Sequence, residues 1–383
     1  MLMRKFILLL VFVSFIDMFV QLPIMSTYAQ DLGATPFIIG IVVGMYSLSN
    51  MIGNLSAGYW TDSTGAKRVL VIGLICTGLS LFAYTIITEP IQLVIVRFFH
   101  GLFSGLLVPA AYAFMANINK QSNAGKTMAV SGVAVGISAI LGPAFGSMVT
   151  AKLSIDIVFY TVGTLMFLFA ILTFIFLRNV HFTEEKKEVF NFNNTKNLLS
   201  HPLLQVSFLA AFSLTFAKGV LAYTLPLQVV TLGFGAHFSG ILMSTFGIVA
   251  IIIFSAGRKI FDKVHSNITL TIGLLAISIG LFILSFAQTL PLLFIAMIIY
   301  GAGFGFLFPS MTTILVKNTV AHERGRAFGI FYSFFSLGVV TGSFVTGLNG
   351  ISQAAGYQIA SIFVILSMVF IHFVLPKLHK KTV

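Results

Sequence analysis

The sequence predicts an all-helical integral membrane protein with twelve spanning helices in two parallel six-helix halves. Three observations carry this. Of 383 residues 58% are hydrophobic and only 8% are charged, against about 25% charged in a soluble globular chain. Apolar runs of the length needed to cross a bilayer, about 20 residues, recur along the whole chain. Finally, the chain repeats itself at one fixed offset of 200 residues.

The apolar runs set the spans in order: 6–28, 37–59, 69–88, 91–114, 127–150 and 155–177, then 203–231, 237–256, 267–287, 290–314, 327–350 and 353–375. Backbone polar groups cannot stay unpaired in lipid, and runs this long exceed a barrel strand, so each is a helix. Span 1 begins with Arg4-Lys5 and an apolar stretch like a cleavable leader, but Asp17 in its middle is wrong for a leader core. The single cysteine, Cys76, excludes an intramolecular disulfide framework.

Nineteen of the 22 basic residues fall on the side of the N-terminus. They are Arg4 and Lys5 before span 1, Lys67 and Arg68 after span 2, and Lys120 and Lys126 after span 4. Arg178, Lys186, Lys187 and Lys196 follow span 6, and Arg258, Lys259 and Lys263 follow span 8. Lys317, Arg324 and Arg326 follow span 10, and Lys377, Lys380 and Lys381 close the chain. The opposite loops hold Lys152 alone, while Arg97 and Lys218 lie inside spans. Positive loops stay in the cytoplasm, so both termini are expected inside and the protein in the plasma membrane. This scatter, with no basic arm, also argues against nucleic acid as a partner of a chain of net charge +12.

At the 200-residue offset Leu32-Gly33 meets Leu232-Gly233, Gly40 meets Gly240 and Asp62 meets Asp262. Ile72-Gly73-Leu74 meets Ile272-Gly273-Leu274, and Gly101, Gly105, Leu107 and Pro109 meet Gly301, Gly305, Leu307 and Pro309. The expected organisation is therefore a half over 1–177, a cytoplasmic linker over 178–202 carrying a surface helix, and a half over 203–383. Six-helix repeats in parallel are a transporter architecture, with the substrate path between the halves.

The loop after span 2 reads Gly58-Tyr59-Trp60-Thr61-Asp62-Ser63-Thr64-Gly65-Ala66-Lys67-Arg68. Gly58, Asp62, Gly65, Lys67 and Arg68 resemble the signature loop of the major facilitator superfamily, with Ser63 where that family usually has Arg. Span 4 carries Arg97-Phe98-Phe99-His100-Gly101, similar to the family's Arg-x-x-x-Gly segment. Span 5 carries Gly132, Gly136, Gly142-Pro143 and Gly146, similar to the antiporter motif of the drug-exporting branch; the second half has Gly342-Ser343 instead. The resemblance implies alternating access, a monomer, a gating role for the loop after span 2, and spans 1, 4, 7 and 10 around a central cavity. The span 5 glycines read equally as close helix packing.

Charges deep in lipid cost about 2.5–3.5 kcal/mol each and are functional by default. Asp17 lies in span 1, Arg97 and His100 in span 4, and Lys218 in span 7. At about 1.5 Å per residue, Asp17 and Arg97 lie roughly 16 and 9 Å below the outer ends of their helices, a gap that a long Arg side chain spans. An Asp17–Arg97 pair is therefore expected. It is either a proton-coupling site, with His100 as a further titrating group, or a permanent ion pair joining spans 1 and 4. Lys218 has no acidic residue in the spans of its own half. It then pairs across the halves, loses its proton or meets an anionic group of the substrate. With Phe98, Tyr112, Tyr223 and Tyr300 as aromatic supply, this composition favours small organic solutes, either drugs or anionic and zwitterionic compounds of the metallophore kind.

The expected activity is secondary active export of such solutes in exchange for protons. Nutrient uptake of sugars or organic acids on the same fold, and a non-transporting membrane sensor, stay open as alternatives. No enzyme chemistry is indicated. Gly125-Lys126-Thr127 looks like the end of a phosphate loop, but Lys120 stands where that loop needs Gly. No His or Cys pair has metal-ligand spacing, and no cofactor is expected.

Overall fold

The computed structural model describes residues 2–118, 124–177, 192–256, 266–320, 323–349 and 351–373. Every regular element among them is an α-helix, fifteen in all: α1 (Leu2–Gln21), α2 (Met25–Asp31), α3 (Pro36–Thr64), α4 (Ala66–Tyr84), α5 (Pro90–Ser104), α6 (Leu107–Ile118), α7 (Ala124–Lys152), α8 (Ile155–Phe176), α9 (Phe192–Ser200), α10 (Pro202–Thr231), α11 (His237–Ala256), α12 (Ser266–Leu284), α13 (Leu290–Lys317), α14 (Arg324–Thr346) and α15 (Gln353–Phe373). Eleven segments are long and apolar enough to span a membrane, with α5 and α6 together forming one, Pro90–Tyr112. The bent pair α1 and α2 passes the same test together, which makes twelve when the pair is counted as one span. The chain is thus a multi-pass membrane protein. The first part of the linker, 178–191, lies outside the described residues, and α9 occupies its end.

Two spans expected as single helices are interrupted, both by proline. Span 1 breaks at Leu22–Ile24, and its two pieces are bent by 45°. Pro23 has no N–H for the carbonyl four residues back, and its ring collides with it. The chain tightens instead, with Leu22 N–H donating to Phe19 O (3.4 Å) and Ile24 N–H to Gln21 O (3.2 Å). Span 4 breaks at Gly105–Leu106, four and three residues before Pro109. In the second half α13 runs unbroken through Pro309.

Helix starts follow ordinary capping chemistry. The Thr35 hydroxyl accepts from Ile38 N–H ahead of Pro36, and that of Ser154 from Ile157 N–H. Gly33 and Gly233, partners at the 200-residue offset, both turn the chain with φ near +80° (81° and 77°), the left-handed region open to glycine.

The helices form two compact units: Met1–Lys186 with Leu225–Ser244, and Lys187–Thr224 with Thr245–Val383. In the first, α1 packs on α7, α3 on α5, and α4 on α8 and α5. A Cβ on Gly101 would meet Tyr46 Cα at 2.9 Å, and one on Gly105 would meet Asn54 N at 2.9 Å. Helices α3 and α5 therefore touch backbone to backbone, which small residues permit. In the second unit α12 packs on α13 and α15.

The repeat seen in the sequence reappears in these contacts. A Cβ on Gly73 would meet Leu107, and one on Gly273 Leu307; Gly101 faces Tyr46, and Gly301 faces Phe246.

Candidate functional site

The polar core of the first unit is built by one face each of α1 and α5. On α5, Arg97, His100 and Ser104 follow helical spacing and are all buried. On α1, Asp17 and Gln21 lie one turn apart, Gln21 in the last turn before the Pro23 break. Asp17 and His100 are both fully enclosed, at 0% exposure.

The carboxylate of Asp17 is surrounded by donors. His100 Nε2 stands 3.2 Å from Oδ1 and 3.1 Å from Oδ2. The Gln21 amide donates to Oδ1 at 2.9 Å, and the Ser104 hydroxyl to Oδ2 at 3.3 Å. On the far side of the imidazole, Nδ1 lies 3.0 Å from the Tyr84 hydroxyl. With Nε2–H directed at Asp17, a neutral ring accepts from Tyr84 at Nδ1, and a protonated ring donates to it. The ring is held edge-on by Tyr46 and Tyr84, at centroid distances of 5.3 and 5.5 Å. Tyr84 in turn stacks on Phe159 (4.7 Å), and its backbone carbonyl accepts from the Tyr28 hydroxyl.

Arg97 is buried beside this pair without touching the carboxylate. Its Nη1 donates to Gln21 Oε1 at 2.6 Å, its Nε to Val42 O at 3.1 Å, and its guanidinium lies 4.8 Å from the Tyr46 ring centroid. The expected Asp17–Arg97 pair is therefore corrected: His100 is the direct partner of Asp17, and one amide side chain separates Arg97 from it. The His100 ring closes over both oxygens, while the Arg97 stem is committed to α3.

The formal charges balance while His100 is neutral, Arg97 against Asp17. One added proton would leave the enclosed cluster at a formal charge of +1.

Four members of the cluster are absent from the sequence expectations: Gln21, Tyr46, Tyr84 and Ser104. All are uncharged, so a search for intramembrane charges passes over them. The repeat offered a signal. At the 200-residue offset the second half has Leu221, Phe246, Leu284 and Phe304 at these positions, with Met297 for Arg97 and Tyr300 for His100. Phe246 and Tyr300 keep the same edge-on ring contact (5.8 Å, 87°), without the charges.

The other expected site residues are dispersed. Phe98 is half-buried and packs edge-on against Phe99, which is 47% exposed. Tyr112 lies half-buried on α6. Tyr223 and Tyr300 are buried on α10 and α13, and the Tyr300 hydroxyl has no hydrogen-bond partner among the described residues. Lys218 is half-buried on α10, in the second unit.

In the loop after span 2, Gly65 (φ 90°) turns the chain between α3 and α4. Lys67 Nζ sits over the Phe174 ring at 4.7 Å. Gly58 and Arg68 are exposed, and the side chain of Asp62 lies outside the described residues.

The α7 motif has two faces. A Cβ on Gly142 would meet Phe19 Cβ at 2.7 Å, and one on Gly146 would run into Val20 O, so these glycines seat α1 two and three residues beyond Asp17. The other face meets the start of α11. A Cβ on Gly240 would strike Pro143 O, Ser147 donates to His237 O (3.1 Å), and Ser244 donates to Ile140 O (2.6 Å). Gly132 and Gly136 lie on the same helix, α7.

The chain matches the sequence model of the Major Facilitator Superfamily over residues 7–343, with a second match over 208–383. It is 27% identical over 358 residues to an uncharacterised MFS-type transporter of Methanocaldococcus jannaschii, covering 90% of each chain. It is 26% identical over 355 residues to the multidrug resistance protein MdtG of Salmonella paratyphi C, covering 89% of this chain and 86% of that one. Among solved structures it superimposes on the nucleoside transporter NupG with a TM-score of 0.79 at 17% identity, covering 97% and 98% of the two chains. A D-xylose–proton symporter gives a TM-score of 0.79 at 16% identity, covering 97% of each. Likenesses at such identity establish the fold alone.

Proposed function

Because the chain belongs to the major facilitator superfamily of membrane transporters, we propose that it is a proton-coupled exporter of small organic compounds in the plasma membrane, acting as a monomer with both termini in the cytoplasm. The halves 1–177 and 203–383, joined by the linker 178–202, alternate access to the solute. The observation that carries the coupling is the enclosed Asp17–His100 pair, a unit able to take up one proton inside a membrane span. Export rather than uptake is supported by the multidrug resistance relatives, which align with nine-tenths of the chain.

In this reading the sealed cluster holds its charges in balance. Proton uptake makes it positive and favours a conformation in which water reaches the site. Solute leaves outward as the proton enters, and loss of the proton inward restores the balanced, sealed state. The Gly142–Gly146 face of α7 keeps α1 in place, and the Pro143–Ser147 face meets α11, so one helix touches both α1, which carries Asp17, and the start of α11. The loop from Gly58 to Arg68, with Asp62, guards the cytoplasmic side. Lys218, with the aromatics Tyr223 and Tyr300 elsewhere in its half, supports a solute bearing a carboxylate or other anionic group, a zwitterion of the metallophore kind or a drug.

The test compares metabolites retained by cells with and without the gene, then follows each retained compound in inside-out vesicles energised by a pH gradient. Accumulation of an organic anion or zwitterion in the deletion strain, with gradient-driven uptake into the vesicles, is expected. Asp17→Asn abolishes the gradient dependence while preserving exchange. Solute depletion from the deletion strain would point to uptake, and unaltered gradient dependence in Asp17→Asn would move the proton site elsewhere.

A further inference from the structure

We propose that Gln21 is a positioning residue of the proton site: its amide holds the Arg97 guanidinium away from the Asp17 carboxylate, leaving that carboxylate to His100. This rests on the reading of Asp17–His100 as the proton-coupling pair and assigns the residue that lets it titrate.

The geometry is specific. Gln21 Nε2 donates to Asp17 Oδ1 (2.9 Å) and to Asp17 O (3.0 Å), which fixes the amide plane. Gln21 Oε1 then faces Arg97 Nη1 at 2.6 Å. An amide is neutral and bonds with opposite polarity at its two ends, so it satisfies a carboxylate and a guanidinium at once without transferring a proton. In its absence a buried guanidinium one side chain away would close onto the carboxylate, since that contact forms two charge-assisted hydrogen bonds. A carboxylate so paired resists protonation, typically by one to three pH units. The position of Gln21 follows from the local fold: it is the last residue of α1, and the break at Pro23 leaves its side chain lying back along the helix toward Asp17.

Other titratable groups that bear on the pair are few. Helix α5 contributes Arg97 and His100, α3 contributes Tyr46, and α4 contributes Tyr84. Of the remaining helices packed on α1, the described side chains of α6 carry only Tyr112 of this kind, those of α7 only Lys152, and those of α8 Asp156 and Tyr160. Among the described side chains, Arg97 is thus the one permanent charge one side chain from Asp17.

The experiment titrates the full-length protein in lipid vesicles by infrared difference spectroscopy, with no solute required. The bands that vanish in Asp17→Asn report the pair. In Gln21→Ala the midpoint is expected to move to acid by at least about one pH unit. Adding Arg97→Gln should return it to the wild-type range or beyond. Simple loss of an amide donor predicts the opposite sign, so an unchanged or alkaline midpoint in Gln21→Ala overturns the proposal, as does an acid shift that Arg97→Gln leaves in place. Gln21→Glu keeps the shape and serves if the alanine variant fails to fold. It sets a second carboxylate against Asp17 and should move the midpoint to alkaline, and no shift there also overturns the proposal. A normal wild-type titration without gradient-driven transport would sink the coupling reading while leaving the role of Gln21 intact.

Discussion

Tyr84→Phe is a minimal perturbation of the proton site. It removes one oxygen, 3.0 Å from His100 Nδ1, and keeps the ring that stacks on Phe159 at 4.7 Å and meets the imidazole edge-on. Neutral His100 loses an ordinary donor at Nδ1, whereas protonated His100 loses the acceptor for a charged N–H. Hydrogen bonds to charged groups contribute about 1.5–3 kcal/mol and neutral ones about 0.5–1.5 kcal/mol. The protonated pair is therefore penalised more, by roughly 1–1.5 kcal/mol, and at about 1.4 kcal/mol per pH unit this is close to one unit. The sign follows directly: a weakened protonated form needs more acid, so the midpoint of proton uptake moves down. The assay is the pH dependence of gradient-driven transport in vesicles, alongside infrared titration of the same variant. An unmoved or raised midpoint, with the protein folded, would refute the assignment of Tyr84 as the partner of His100 Nδ1.

Other outcomes follow from packing and topology. Gly146→Ala places a Cβ against Val20 O of α1, and overpacking against backbone is expected to cost about 1–3 kcal/mol, read as a lowered melting temperature. Gly58→Ala, helical with nothing within 4 Å of the added carbon, should leave melting unchanged or raise it by up to about 1 kcal/mol equivalent; destabilisation there as large as at Gly146 would defeat the packing account. Single cysteines at Ala34, Lys152 and Gln353 should react with an impermeant thiol reagent in intact cells lacking Cys76, and those at Ser122 and Asn193 should not. Strong labelling at Asn193 would reverse the proposed orientation. Asp62→Asn is expected to lower transport with expression intact, and unchanged transport would indicate that Ser63, standing where the family usually has Arg, has already removed the gating role of that loop.

Much of this protein is written along one dimension. Hydropathy and run length set the spans because lipid demands continuous apolar helix. The 200-residue repeat reappeared as matching contacts, Gly73 on Leu107 and Gly273 on Leu307. Asp17, Arg97 and His100 stood out because charges in apolar runs are costly and rare. What the linear chain did not contain was the choice of partner. Spacing and reach allowed Arg97 to meet Asp17. The tertiary structure gave that place to His100, because α5 presents the imidazole to both carboxylate oxygens while Gln21 Oε1, Val42 O and Tyr46 together engage the guanidinium. The 45° break at Pro23, and with it the placement of Gln21 between two charges, depends on how α1 and α2 resolve a lost hydrogen bond in three dimensions. Tyr84 and Ser104 carry no charge and acquire meaning only from what they face. Composition and periodicity reveal which helices form and which residues are costly to bury; side-chain pairing is settled by helix rotation and contact, which tertiary packing alone decides.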